Sequence, residues 1–348
     1  GNLSIAANVY AQSSTIQLSG NFAINSGTFN YGTSTLELVG SGTQTFTGSQ
    51  ANLYNLTVNN TSGTAPQIVL NSNILVRGHL ELTSGIIETS SSYVLSLEEG
   101  ATSSTGNASS FVAGPMRKYG VTDFVFPIGK GNIFARLAIS GMSGSGAFVA
   151  EYFNNKYTNV TSIAPTLHHV SKIEYWDLSR VGGVGTAQPY VTLHWEDTTW
   201  SRINDLATLR VAHFYSGQWR DMGTNNAYMA STPGAPGRIT SSVAFSSFSP
   251  ITFASTDEIL NPLPVQLIRF NATVTEDRSV RLEWETASER NSDRFEIEKS
   301  IDGVNFERLA TVRSVGNSTT NTIYIHEDRR PFPGISYYRL SQFDMDGK

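Results

Sequence analysis

The sequence predicts an all-β protein in four parts: a parallel β-solenoid (β-helix) over residues 1–112, a β-sandwich over 113–254, a linker over 255–264 and a second, smaller sandwich over 265–348. Three observations lead there. Short apolar-alternating runs recur about every 20 residues through the first hundred, the spacing of a solenoid coil. From Gly114-Pro115 onward the strands lengthen and aromatics increase. No internal stretch sustains a helical apolar period.

In the first part Ile16-Gln17-Leu18, Leu36-Glu37-Leu38, Leu56-Thr57-Val58, Ile74-Leu75-Val76 and Leu95-Ser96-Leu97 read as strands between turns rich in Gly, Ser, Thr and Asn. A self-match sets Gly20-Asn21-Phe22-Ala23-Ile24 over Gly78-His79-Leu80-Glu81-Leu82, and Gly1-Asn2-Leu3-Ser4-Ile5 opens in the same way. Phe22, Ile24, Leu36, Leu38, Leu56, Val58, Leu80 and Leu82 are expected to point inward, with Leu80 and Leu82 as anchors. The competing arrangement is a sandwich of degenerate hairpins. The composition of this stretch also resembles β-helical parts of large bacterial surface proteins.

In the second part Phe148 to Tyr152, Val191 to Trp195 and Leu209 to Phe214 alternate with period two, the mark of half-buried strands. Ser255 to Pro262 reads as a linker. Pro262 and Pro264 block regular pairing there, so a stiff joint is expected.

In the last part Val280, Leu282 and Trp284 alternate with Arg281, Glu283 and Glu285, and Phe295 and Ile297 with Glu296 and Glu298. Asp302-Gly303 and Pro331-Phe332-Pro333-Gly334 supply turns. Trp284 is the expected core anchor. Tyr337 or Tyr338 is expected to make the corner hydrogen bond of sandwich folds, with Tyr337 a second anchor.

These motifs follow Leu263-Pro264-Val265-Gln266-Leu267 and precede Tyr337-Tyr338-Arg339-Leu340-Ser341-Gln342-Phe343-Asp344-Met345-Asp346-Gly347-Lys348. In that order they resemble the fibronectin-type-III-like module that precedes the type A C-terminal sorting domain of Bacteroidetes type IX secretion cargo. Phe124-Val125-Phe126-Pro127-Ile128-Gly129 and Arg136 to Ser140 resemble segments of the same cargo. The resemblance implies a fibronectin-type-III/Ig-like sandwich, a missing last strand and a missing sorting domain after Lys348. It also implies export to the extracellular face of the outer membrane, anchored or released. The translocon, shuttle and sortase would grip the sorting domain, so no residue here is assigned to them.

Composition narrows the function. The chain has 348 residues, 24 Lys plus Arg against 29 Asp plus Glu, and no cysteine. The net charge of -5 offers no basic field for nucleic acid or anionic lipid. Thiolate metal sites, disulfides and thiol nucleophiles are excluded. No apolar run reaches the length of a membrane-spanning helix.

The acids do not assemble into a catalytic pattern in the sequence. Glu98 and Glu99 are neighbours, so on a strand they diverge. Glu283 and Glu285 share the polar face of a sandwich strand, and Glu196-Asp197 stands by itself. His168-His169 lacks ligand spacing, and His213, in phase with Leu209 and Val211, reads as a core histidine. Gly129-Lys130-Gly131 has neither the glycine spacing nor the following helix of a phosphate loop. No cofactor and no metal are expected.

Of the five tryptophans, Trp200, flanked by Asp197-Thr198-Thr199 and Ser201-Arg202, has the best claim to an exposed ligand-binding ring. Thr198 fits a short glycosylation pattern associated with secreted proteins of this bacterial group. The expected role is a non-enzymatic, adhesin-like cell-surface stalk and spacer whose ligand is a surface glycan or a host or substratum molecule. The alternative is a glycan-binding or polysaccharide-cleaving extracellular β-helix.

Overall fold

The structure, a computed structural model, describes all residues except 182–184, 197, 231–234, 249, 259, 262–266, 287–291, 317, 319–320 and 345–348, and the side chains of 198, 199, 267, 268 and 344. Its contacts divide it into two compact units, Gly1–Asp257 and Glu258–Lys348. Pro262 and Pro264, and Asp346 to Lys348 with the strand expected to follow, lie outside the described residues.

The first unit opens with a parallel β-solenoid of about six turns. One sheet stacks Leu3–Ile5, Phe22–Ile24, Gln44–Gly48, Ile68–Leu70, Ile87–Glu88, Val112–Ala113 and Ile128–Lys130 in parallel. A second stacks Thr15–Leu18, Thr35–Leu38, Ala51–Asn59 and Ile74–Ser84. The two long strands bend at a register shift between Val76 and His79, so that each serves two faces. Gly78 occupies this bend, where a Cβ would lie 2.6 Å from Asn55 Oδ1.

Alternation explains the stack. Ile16, Leu36, Leu56 and Leu80 are in register down one column, and Leu18, Leu38, Val58 and Leu82 down the next. All eight residues expected to point inward are buried, Leu80 and Leu82 among them. Full burial of each such side chain stabilises by about 1.5–3 kcal/mol. Phe22 packs on Phe46 in the next coil, with ring centroids 5.2 Å apart.

Polar residues at the corners are satisfied from coil to coil. Asn2 Oδ1 accepts from the backbone N–H of Asn21 (2.8 Å), and Asn21 Oδ1 from that of Thr45 (2.9 Å). Inside, Gln44 Nε2 donates to the Leu18 and Gly20 carbonyls, while Gln44 Oε1 accepts from Asn60 Nδ2. These bonds let the amides of Gln44 and Asn60 be buried in the solenoid core.

The self-match of the sequence is not the structural repeat. Phe22 pairs with Phe46 in the first sheet, whereas Leu80 pairs with Leu56 in the second. The two matched segments lie on different faces, because turn-flanked apolar alternation looks the same on every face of a solenoid.

The change of pattern at Gly114-Pro115 marks a switch of pairing. Met116–Tyr119 is parallel to Leu95–Leu97 on one side and antiparallel to Ala147–Phe153 on the other. The same sheet continues through Tyr175–Arg180, Pro250–Ser255, Leu209–Tyr215 and Gln218–Asp221. A five-stranded sheet, in the order Phe124–Phe126, Leu137–Ser140, Tyr190–Trp195, Gly237–Thr240 and Asn225–Met229, packs against it. Phe253 of one sheet meets Trp195 of the other at 5.6 Å and Trp176 of its own at 5.2 Å.

The second unit is a sandwich of two three-stranded antiparallel sheets. One orders Leu267–Val274, Val280–Thr286 and Thr322–Asp328; the other orders Glu307–Arg313, Ser292–Ser300 and Tyr337–Asp344. Trp284, Leu282, Phe295, Ile297 and Tyr324 form its core.

Tyr337 is not a core anchor: it is 45% exposed. Tyr338 and Leu340 take the inward phase of that strand, which the doubled tyrosine leaves ambiguous in the sequence. Among the described residues, neither Tyr337 nor Tyr338 bonds to upstream backbone. Tyr338 donates to Asp328 Oδ2 (3.0 Å), and the hydroxyl accepting a backbone N–H, that of Val315 at 3.0 Å, belongs to Tyr324.

Candidate functional site

Where the last solenoid turn meets the sandwich, a cleft of about 310 Å³ is lined by Ala108 and Asn132–Ala135 on one side. Glu174, His194, Trp195, Glu196, Trp200 and Ser201 line the other. The hairpin of Ile128–Lys130 with Ile133–Phe134 supplies the first wall. The segment Gly129-Lys130-Gly131 is part of this hairpin, with Gly131 at φ +61° for its turn.

Glu174 is 1% exposed. It lies just before the strand Tyr175–Arg180 on the face that also buries Trp176 and Leu178. Its Oε2 accepts from Tyr152 (2.9 Å) and Trp200 Nε1 (3.3 Å), and the Ser201 side chain is also bonded to the carboxyl. Burial pushes the carboxyl up to about 7, with these donors pulling the other way. Burial and the neighbouring Glu174 raise the Tyr152 phenol in turn. Glu174 Oε1 and Trp195 Nε1 are two of the nine buried side-chain polar atoms that have no hydrogen-bond partner among the described residues.

Charge in the cleft is otherwise compensated. Arg136 grips Glu196 through two bonds, Nε to Oε1 at 2.7 Å and Nη2 to Oε2 at 3.1 Å. His194 is held down to about 3, first by burial and then by Arg136 and Arg238, so its ring is neutral at any physiological pH.

Trp200 lies in the short helical turn Thr198–Ser201. It is partly buried, and its indole N–H is committed inward, to Tyr152 Oη (3.1 Å) and Glu174. It is thus a wall of the cleft and not a free-standing platform. The side chain of Thr198 lies outside the described residues.

The other candidates do not converge. Glu98 pairs with Arg77, while Glu99 is exposed. Arg269 bridges Glu283 at 2.8 Å and Glu285 at 3.0 Å. His169 is buried and His168 exposed, the divergence expected of strand neighbours. His213 packs against Phe245 with the rings tilted and their centroids 4.7 Å apart, and burial lowers it to about 4. No grouping of three or more potential metal ligands occurs among the described residues, and no helix is long and apolar enough to cross a membrane.

Sequence reasoning placed Trp200 and Glu196 in view but missed Glu174. A signal was present: in Glu174-Tyr175-Trp176-Asp177-Leu178 the acid is in phase with Trp176 and Leu178, the apolar face. Comparison with known proteins adds no assignment, since no family model, no curated protein and no solved structure matches the chain.

Proposed function

We propose that the chain is a structural and adhesive part of a secreted bacterial cell-surface protein, exported by the type IX route and without catalytic activity. The observation that carries this reading is the continuous sheet. Backbone hydrogen bonds run without a break from Thr15–Leu18 in the solenoid to Gln218–Asp221 in the sandwich. A ladder of that extent suits a stiff spacer that resists extension. The likeness of the last unit's motifs to the fibronectin-type-III-like module of type IX cargo supports the export route. In this reading the translocon, shuttle and sortase act on a sorting domain beyond Lys348.

Two experiments test it. Calorimetry on residues 1–257 is expected to give one cooperative transition, and separate melting of solenoid and sandwich would refute a single stiff body. In a Bacteroidetes host, the chain carried in its parent gene is expected to reach the cell surface only when the type IX translocon is intact. Equal surface levels without the translocon would overturn the export route.

One observation favours a second reading, cleavage of a glycan: Glu174 and Glu196 line the same cleft. Against it, Glu196 is neutralised by Arg136. Turnover of a polysaccharide by the wild type that disappears in Glu174→Gln would establish the second reading in place of the first.

A further inference from the structure

We infer that a groove in the second unit, between the turn 275–279 and the loop 329–336, binds an acidic peptide segment that carries apolar side chains. Arg278 and Arg330 take its carboxylates, and Val274, Pro331 and Phe332 its apolar side chains. This rests on the adhesive part of the proposed function and gives it a ligand class. The scaffold and export readings stand or fall by their own tests.

Charge is the first argument. The groove holds about 710 Å³, inside the roughly 300–1,000 Å³ range of ligand pockets, and the charged residues lining it are Arg278, Arg329 and Arg330. The acids nearby are already engaged. Asp277 Oδ1 accepts from the Thr275 and Ser279 hydroxyls (2.6 and 3.0 Å), and Glu327 from Ser279 (2.6 Å) and Arg329 (3.2 Å). Asp328 is held by Lys299 and Tyr338. Arg278 and Arg330 form no ion pair among the described residues. In a chain of net charge -5 they leave a local positive field, and each guanidinium can grip a carboxylate through two parallel bonds.

Backbone conformation is the second. Arg278 sits at φ +66°, in the left-handed region that few residues besides Gly, Asn and Asp adopt. The turn imposes it: the Arg278 N–H donates to the Thr275 carbonyl at 3.0 Å, and the Thr275 N–H to that of Ser279 at 2.9 Å. A glycine would fill this place without strain. An arginine there points to what its side chain meets.

The opposite wall is stiff and largely apolar. Pro331 and Pro333 fix its path, the Phe332 N–H donates to Ser336 Oγ (3.0 Å), and Lys299 Nζ donates to the Arg330 carbonyl (2.7 Å). A groove held on both sides loses little freedom on binding. Val274 is 72% exposed, as is Ile335 at 68%, between two lining residues. Among the described residues no Asn, Gln, Asp, Glu or His lines the groove, and the hydroxyls of Ser336 and Tyr338 are engaged within the fold. A sugar would find few partners for its hydroxyls there. Leucine, isoleucine or phenylalanine side chains of a peptide would instead bury against Phe332, Pro331 and Val274.

The test uses the whole chain and an array of end-capped peptides that combine aspartate or glutamate with leucine, isoleucine, valine, phenylalanine or tyrosine. Each stands beside its asparagine or glutamine counterpart, and fluorescence anisotropy in solution gives the affinities. At least one acidic peptide is expected to bind, more weakly as salt is added, and its amide counterpart about tenfold less tightly. Arg278→Gly removes the guanidinium and relieves the backbone, so it is expected to melt no lower than wild type and yet to weaken binding about tenfold. Arg330→Gln is expected to weaken binding likewise. Arg313→Gln, which does not line the groove, is expected to leave it unchanged.

Melting curves establish which variant is folded, and either groove variant that melts like the wild type carries the result. Absence of binding by every acidic peptide overturns the inference, as does equal binding of the acidic and amide forms. Undiminished binding in a folded groove variant also overturns it. Self-association of the chain that Arg278→Gly abolishes would assign the groove to a second copy instead. Phosphatidylglycerol vesicles bound more tightly than any peptide would assign it to a lipid surface, and either result would overturn the peptide reading.

Discussion

The Tyr152 hydroxyl donates to Glu174 Oε2 at 2.9 Å inside the sandwich, so a carboxyl and a phenol share a site from which water is excluded. Because burial raises the Glu174 carboxyl to about 7, the folded state holds its proton more tightly than the unfolded chain does. The associated stability is fully present below the unfolded value near pH 4.5 and is lost as the pH rises through 7. His194 and His213, lowered to about 3 and 4, act in the opposite sense: their stability is present above pH 6.5 and lost as the pH falls through those values. The wild-type profile is therefore a sum of opposing terms, and the variant isolates one. The melting temperature of Glu174→Gln relative to wild type is expected to rise between pH 4.5 and 8. A constant difference across that range, measured by scanning fluorimetry, would show that Glu174 is not a buried acid.

Leu80 is fully buried between Leu56 and Ser103 in the parallel ladder. Leu80→Ala is expected to destabilise by about 2–5 kcal/mol through lost transfer energy and a cavity. Leu80→Asp should do more, by burying an unpaired charge. Urea unfolding of residues 1–257 reads both, and a midpoint unmoved by the aspartate would be incompatible with the inward column.

Gly48 has φ +86°, and a Cβ there would lie 2.0 Å from the Ile24 carbonyl oxygen in the coil before it. Gly48→Ala is expected to cost about 1–3 kcal/mol from the backbone conformation alone, plus the shift needed to relieve that overlap. Thermal melts of the alanine variant that superimpose on wild type would contradict the close approach.

In the second unit, Lys299 Nζ lies 3.3 Å from Asp328 Oδ2 and donates to the Arg330 carbonyl at 2.7 Å. Tyr338 completes the carboxylate. Asp328→Ala leaves a buried ammonium unpaired and is expected to destabilise the unit by about 3–5 kcal/mol, whereas Lys299→Met with Asp328→Leu should recover most of that loss. Hydrogen exchange in Ser292–Ser300 and Thr322–Asp328 measures both. A double variant no better than the single would mean that the ion pair itself, and not relief from an unpaired charge, sustains the sandwich.

The strands were legible from alternation because every coil and sheet buries one face: Leu36, Leu38, Leu56 and Val58 follow from period two alone. What alternation cannot carry is which face of a solenoid a strand occupies, and so Phe22 and Leu80 matched in sequence while lying in different sheets. The same limit hid the phase of Tyr337-Tyr338, where two similar residues stand side by side. Trp200 was visible from its polar flanks. Glu174 was not, because an acid stands out in a sequence through a second acid near it and this one stands singly on an apolar face. Its partners Tyr152, Trp200 and Ser201 arrive from other strands and turns, at separations no local pattern encodes.

The reversal of strand direction at Met116–Tyr119 has a consequence for solubility. A stack of parallel coils presents at its end a row of unpaired backbone groups, a template on which another copy could grow into a fibre. Here Met116–Tyr119 is already taken by Ala147–Phe153, and Ile128–Lys130 by the two-residue strand Ile133–Phe134. The sandwich thus serves as the solenoid's cap, closing that end to polymerisation by running the next strands the wrong way for another coil to follow.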